Sequence, residues 1–412
     1  MDKPLLIIGY VWPEPKSSAA GSRMLQLIEA FLHYGYKITF ASPCAKTQNA
    51  FNLGVLNVSQ ETIVLNDSGF DSFISNLDPQ IVIFDRFLME EQFGWRVAEQ
   101  CPNAIRILDT EDLHFLRKAR QNAFKKGNTM PKALPKTDVL NDTAKREIAS
   151  IYRCDLSLVI SKAEMEILKT LFGVPNNLLM YLPFMLHEED FELPKFENRQ
   201  HFITIGNFLH DPNYNAVLYL KETLWPLIRA HVPSSQLYVY GAYCSDKVKQ
   251  LHNEKQGFLI KGFIDDVNVV MQNAKVCLAP LRFGAGLKGK LVDALKNGTP
   301  VVTTTIGAEG MEPPVLASGY IEDDPVRFVE KAIKLYTNTQ DWNIKHKHAT
   351  KHLYAYFNRQ THRELLFKRV NALISDVQRV RANNFIGQML MHHTQQSTKY
   401  LSKWIEAKQI AG

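Results

Sequence analysis

KVCLAPLRFGAGLKGKLVDALKNGTPVVTTTIGAEG, residues 275–310, decides the fold. The apolar run Lys275–Pro280 predicts a buried strand, and Phe283-Gly284-Ala285-Gly286-Leu287-Lys288 a glycine loop. Lys288–Lys296 then predicts a helix stopped by Asn297-Gly298, with Thr299–Thr304 as the next strand. A glycine turn that feeds a helix leaves the first helical amides unpaired at the positive end of the helix dipole, a natural seat for an anion. Gly284 and Gly286 let the backbone approach a diphosphate closely, Lys288 and Lys290 add positive charge, and Asp293 is placed to accept ribose hydroxyls. A tight packing turn is the plainer alternative for the same glycines. The Walker pattern is absent, and the loop comes too late in the chain for a first-unit dinucleotide fingerprint.

Outward from this unit, short apolar runs alternate with helical patterns, which predicts parallel sheets covered by helices. Strands are expected at Leu5–Gly9, Lys37–Ala41, Gln80–Phe84, Ala104–Leu108 and Ser157–Ile160, with a helix over Met24–Tyr34. The second half repeats the scheme at residues 201–206, 235–241, 258–263 and 275–304. Residues 182–200 hold two prolines and many charges without periodicity, the mark of a linker. At 412 residues, two α/β domains are the natural division. Apolar content of 45% and charged content of 22% exclude wholesale disorder. The net charge of +6 suits an anionic ligand but does not separate a nucleotide from a lipid surface or nucleic acid. Five scattered cysteines without a C-x-x-C pair indicate neither a disulfide framework nor a zinc site. The N-terminal apolar run is too short for a signal peptide, and no stretch approaches the roughly 20 residues of a membrane span, so a cytoplasmic protein is expected.

At residues 275–310 the chain resembles the donor site of glycosyltransferase family 4 and its group 1 relatives. The resemblance extends to Gly206–Asn213 (GNFLHDPN), Tyr240-Gly241, Lys261–Asp266 (KGFIDD), Pro300–Val302 and Gly307–Gly310. It is looser at Ala20–Arg23, Asp109–His114 and Ser161–Glu164. It implies the GT-B fold: two facing Rossmann-like domains over 1–185 and 201–375, a linker over 186–200, and a C-terminal amphipathic helix over 376–412 packing back on the first domain. It further implies a retaining hexosyltransferase that uses a nucleotide-diphosphate sugar without metal or other cofactor. The implied donor-binding residues are Gly21, Ser22, Gly206, Asn207, Asn213, Tyr240, Gly241, Phe263, Ile264, Arg282, Gly284, Gly286, Leu287, Lys288, Lys290 and Asp293. Asp112, His114 and Glu309 are the implied catalytic residues, with His114 also readable as a satisfied loop residue.

Two departures stand out. The family carries two glutamates eight residues apart where this chain has Ala285 and Asp293, and Asn207 replaces its phosphate-binding arginine. Glu309 is the candidate to replace the missing sugar-side acid. A catalytically degenerate binding or scaffold protein is therefore the second expectation, and a transferase acting on a polyanion such as nucleic acid the third. A glycan or lipid-linked acceptor is the expected partner, ahead of nucleic acid. The basic run Arg117, Lys118, Arg120, Lys125 and Lys126 predicts a solvated face, with a patch for anionic lipid or a polyanionic acceptor as its alternative. The stripe Phe385, Ile386, Met389, Leu390, His393, Tyr400, Leu401, Trp404 and Ile405 predicts a helix packed on the first domain, with peripheral membrane contact as its alternative.

Overall fold

The computed structural model describes residues 3–127, 134–188 and 192–392, together with Tyr400, Trp404 and Lys408. The first domain is built on strands β1 (Lys3–Ile8), β2 (Tyr36–Ser42), β3 (Ser59–Thr62), β4 (Ile81–Asp85), β5 (Ile105–Asp109), β6 (Leu156–Val159) and β7 (Leu179–Tyr181). They form one sheet in the order 3-2-1-4-5-6-7, every pair parallel. The second domain holds β8 (Gln200–Ile205), β9 (Leu237–Tyr240), β10 (Phe258–Gly262), β11 (Ala274–Ala279), β12 (Val301–Thr303) and β13 (Gly319–Ile321) in the order 10-9-8-11-12-13, also all parallel.

The expected strands are present. Their inner members are buried on both faces, as Leu5, Leu6, Ile7 and Ile8 in β1 show, which is why they stand out as unbroken apolar runs. Three edge strands were not expected: β3, β7 and β13. The first is polar and mostly exposed, and the other two have three residues each, so neither carries a pattern to detect. In each sheet the strand order reverses once, between β1 and β4 and between β8 and β11. Such reversals open a crevice beyond the carboxyl ends of the strands. The glycine loop leaves β11 at one of them.

The described part of the linker is pinned at both of its ends. Leu186 bridges to Asn358. The fully buried Arg199 guanidinium donates to the carbonyls of Pro194, Met271, Ala274 and Asn297 and to the Thr299 hydroxyl. With no carboxylate among these partners, burial pushes its pKa down to about 10.

The return to the first domain begins well before residue 376. Helix Thr339–Tyr356 finishes the second core, and helix Arg359–Ala382 crosses back. Leu366, Phe367, Val370 and Leu373 join Leu27, Ile28, Phe31 and Tyr36 in one cluster. Phe367 stacks on Tyr34 and meets Phe31 edge-on at 5.2 Å. Arg381 clamps Asp155 at 2.7 Å and donates to the Ala104 carbonyl. Next, helix Phe385–Met391 brings Gly387 against the Tyr152 carbonyl, where a Cβ would lie 2.2 Å from the oxygen. Only part of the expected stripe packs. Leu390 joins the first core, whereas Phe385, Ile386, Met389, Tyr400 and Trp404 face outward, and His393, Leu401 and Ile405 lie outside the described residues. Among the described residues, no helix is long and apolar enough to cross a membrane.

Phe367→Ala should cost about 3–5 kcal/mol, the usual range for emptying a buried aromatic site. Guanidinium unfolding followed by a first-domain probe measures it; an unchanged midpoint would mean that the returning helix contributes little to that core.

Candidate functional site

The glycine loop is formed as expected. Gly284 (φ +147°) and Gly286 (φ +65°) occupy backbone regions that favour glycine, and helix Gly289–Lys296 follows with Lys288 as its N-cap residue. Around it the ends of β8 and β9 crowd together. A Cβ on Gly241 would lie 2.0 Å from the Gly206 carbonyl oxygen, and one on Gly206 would strike the Asn213 side chain at 2.7 Å. Asn213 receives the Lys290 ammonium at 2.9 Å and donates to the Asn207 carbonyl. Asn207 itself makes a local turn, its side-chain oxygen accepting from Leu209 N. Burial pushes Lys290 down to about 8 and Asp293 up to about 7. Leu287 is buried, Tyr240 and Ile264 pack against the same core, and Phe263 is 41% exposed beside them.

The first domain reaches into this loop from across the crevice. Arg120, only 2% exposed, makes a two-pronged ion pair with Glu309 at 2.7 Å on both arms, and also donates to the Gly284 carbonyl at 2.9 Å. Glu164, wholly buried, accepts from Gly286 N at 2.8 Å and from Leu113 N at 3.1 Å. Burial, with Asp112 nearby, pushes it up to about 7. A Cβ on Gly286 would meet Asp112 at 2.8 Å, and one on Gly289 would meet Ala19 at 2.6 Å. Glu14 accepts from the Tyr243 hydroxyl at 2.8 Å, and Lys16 pairs with Asp265 at 3.1 Å. The mouth of the loop is thus covered by the protein's own side chains, with Glu164 on the Gly286 amide and Asp112 and Ala19 against its glycines.

Several expectations change as a result. Glu309 does not present a free carboxylate to a sugar; it is held by Arg120. The basic run is not a solvated face throughout, since Arg120 is buried between the domains and Arg117 lies 2.8 Å from Asp112. Gly21 and Ser22 do not face the loop. Gly21 packs on the Glu14 backbone, the Ser22 hydroxyl donates to the Pro15 carbonyl, and Ala19 is the helix residue that touches the second domain. Arg282 is held between the Phe124 and Tyr219 rings and donates to Asn215. The Lys288 ammonium folds back onto the Ala285 and Gly286 carbonyls, and burial lowers its pKa.

Asp112 and His114 do come together beside the loop, with His114 Nε2 3.4 Å from Asp112 Oδ1. Burial alone would raise the Asp112 pKa, but Arg117, His114, His210 and Arg86 outweigh it and hold the carboxylate at about 2. Burial, helped by Arg117 and Arg86, keeps His114 neutral, down to about 4. The backbone amides of His114 and Phe115 are capped by the Glu147 carboxyl group, at the positive end of their helix.

A buried charged layer at the ends of β4 and β5 went unread in the sequence. Arg23 pairs with Asp109 and lies 3.5 Å from Glu111; Asp85 accepts from Tyr10 N and pairs with Arg86. Arg86 and Glu111 both have positive φ, at +70° and +59°. Such backbone costs energy in non-glycine residues and concentrates at functional sites. Asp85 and Asp109 end strands that pair in register, a cue visible only once the strands are aligned. Among the described residues, no three His, Cys, Asp or Glu side chains gather as metal ligands.

Residues 199–338 match the family described as glycosyl transferases group 1. Among solved structures, the chain is similar to a sucrose-phosphate synthase from Thermosynechococcus elongatus, with a TM-score of 0.65, 13% identity, and coverage of 90% of this chain and 99% of that one. It is similar to Anabaena HepE in complex with UDP and glucose (TM-score 0.65, 12% identity, covering 90% and 100%). It also resembles a glycosyltransferase from Rickettsia africae (TM-score 0.64, 10% identity, covering 89% and 97%). A comparison with curated protein sequences returned no match. The two-domain chain thus has the GT-B fold, and residues 199–338 within its second domain are similar to the group 1 glycosyltransferases.

Two outcomes follow from this geometry. Arg120→Ala should destabilise the protein by about 3–5 kcal/mol, because it removes the two-pronged guanidinium partner of the buried Glu309, and Arg120→Met with Glu309→Leu should recover most of the loss; chemical denaturation of both variants checks it. Anion binding at the loop should weaken up to about ten-fold from pH 7 to pH 9, as Lys290 loses its proton through about 8 and Asp293 is already charged above about 7. Titration of UDP at several pH values should show this fall, flattened in Lys290→Ala.

Proposed function

We propose that this chain is a retaining glycosyltransferase that moves a hexose from a nucleotide-diphosphate sugar to an acceptor hydroxyl, without a metal. The observation that carries the reading is the Gly284–Lys290 loop. Its helix amides, Lys288 and Lys290 lie at the seam between two facing domains, in the stretch that matches a transferase family. A departing diphosphate is a concentrated negative charge. A site that stabilises it with fixed amides, a helix dipole and ammonium groups favours the transition state over the ground state. Asp293 is suited to the ribose hydroxyls. UDP is the first nucleotide to test, because HepE is described in complex with UDP and with UDP-glucose.

Asp112 and His114 supply the acceptor side. The Asp112 carboxylate stays charged, and the neutral imidazole beside it is in the right form to take a proton from an acceptor hydroxyl. A glycan or lipid-linked acceptor and work at the cytoplasmic side, with peripheral membrane contact, complete this reading. The outward-facing Phe385, Ile386, Met389, Tyr400 and Trp404 support the membrane contact. A second reading, a degenerate transferase that binds without turnover, is favoured by Ala285 in place of an acid and by a crevice closed over the loop.

Hydrolysis and binding assays with UDP-, GDP- and dTDP-sugars separate the two. Turnover of at least one donor supports the enzyme, and binding with no turnover supports the second reading. In either case Lys288→Ala should weaken donor binding by about 1–3 kcal/mol, the loss of a charged hydrogen bond; unchanged affinity would remove Lys288 from the site.

A further inference from the structure

Ser161-Lys162-Ala163-Glu164 opens helix Lys162–Thr170 with the S-x-x-E pattern of a capping box. In that motif the serine hydroxyl takes the amide of the third helical residue, and the glutamate reaches back to the amide of the serine. Neither side-chain arm is made here. Ser161 is 1% exposed and makes no side-chain cap, and its hydroxyl has no hydrogen-bond partner. Glu164 turns away from its own helix and spends Oε1 on Leu113 N and, across the crevice, on Gly286 N. Its Oε2 is buried and also without a hydrogen-bond partner. Ser161 lies against the same opposing surface, since a Cβ on Gly310 would fall 2.6 Å from its hydroxyl oxygen. A carboxylate thus occupies the glycine-loop amide, while the capping box one helical turn away is left unmade.

We propose that Glu164 is a latch on the donor loop: in the closed protein its carboxylate holds the Gly286 amide in place of a phosphate oxygen, and a nucleoside diphosphate takes that amide by sending Glu164 back to close the capping box with Ser161. This rests on the donor-site reading of the loop. Two seats for one carboxylate give the two discrete arrangements that a switch requires. Only a ligand that favours one of them moves it, and an anionic oxygen competing for Gly286 N does so. Arg120 holds the Gly284 carbonyl independently, so the loop keeps its shape while the amide changes partner.

The test is calorimetric titration of UDP into the full-length wild type, Glu164→Gln and Glu164→Asp. Glutamine replaces a charged hydrogen bond with a neutral one, and aspartate keeps the charge but is one methylene too short to span the crevice. Both should bind UDP about five-fold more tightly than the wild type, the difference between charged and neutral hydrogen bonds expressed as affinity. Thermal unfolding confirms that each variant is folded. A gain in affinity is the informative readout, because a merely structural glutamate would lower binding when replaced. Binding by the wild type with equal or weaker binding by folded variants overturns the latch alone. If none of the three proteins binds UDP or another nucleoside diphosphate, the latch and the donor-site reading fall together.

Discussion

The architecture of the crevice depends on a single guanidinium. Arg120 belongs to the first domain, yet every bond its terminal nitrogens make is to the second: both oxygens of Glu309 and the carbonyl of Gly284. Burying a guanidinium is costly unless its partner is charged and well aligned, and the two-pronged geometry meets that requirement. The consequence is positional. With Gly284 held from one side and Gly286 from the other, the loop's backbone is set by groups that belong to the opposite domain. The shape of the glycine loop is therefore a property of the pair of domains more than of either one.

Behind the seam, the first domain concentrates charge where its sheet ends. Arg23, Asp85, Asp109 and Glu111 lie within one buried layer with the half-buried Arg86 beside them, and Glu147 and Glu164 both sit at the amino end of helix His114–Lys125. Opposing effects leave these groups in different states. Asp112 is kept charged by its cationic neighbours, whereas burial raises the pKa of Glu111 to about 8 and raises that of Glu147 well above its ordinary value. Titratable groups pushed apart in this way are what acid–base chemistry at neutral pH requires, and Asp112 among them lies against Gly286 of the glycine loop.

Much of this was legible beforehand, for a local reason. Buried parallel strands must be apolar on both faces, and a glycine loop that opens a helix leaves its mark in consecutive residues, so the two sheets and residues 284–296 could be read from neighbours in sequence. What escaped reading depends on distance. Nothing near Arg120 announces Glu309, and the basic run around it resembles an exposed face until the fold brings residue 309 alongside. Gly21 and Ser22 were placed on the correct helix but on the wrong side of its first turn, where Ala19 makes the contact. The capping-box pattern at Ser161 was a local signal that tertiary structure overrode.

The account stands on one claim, that the opening turn of helix Gly289–Lys296 is where a diphosphate is gripped. A crystal structure of the protein with bound UDP tests it most directly. The account predicts pyrophosphate oxygens within hydrogen-bonding distance of the amides between Gly286 and Lys290, with the Lys290 ammonium alongside. UDP seated elsewhere on the molecule, with those amides still covered at saturating ligand, would contradict it.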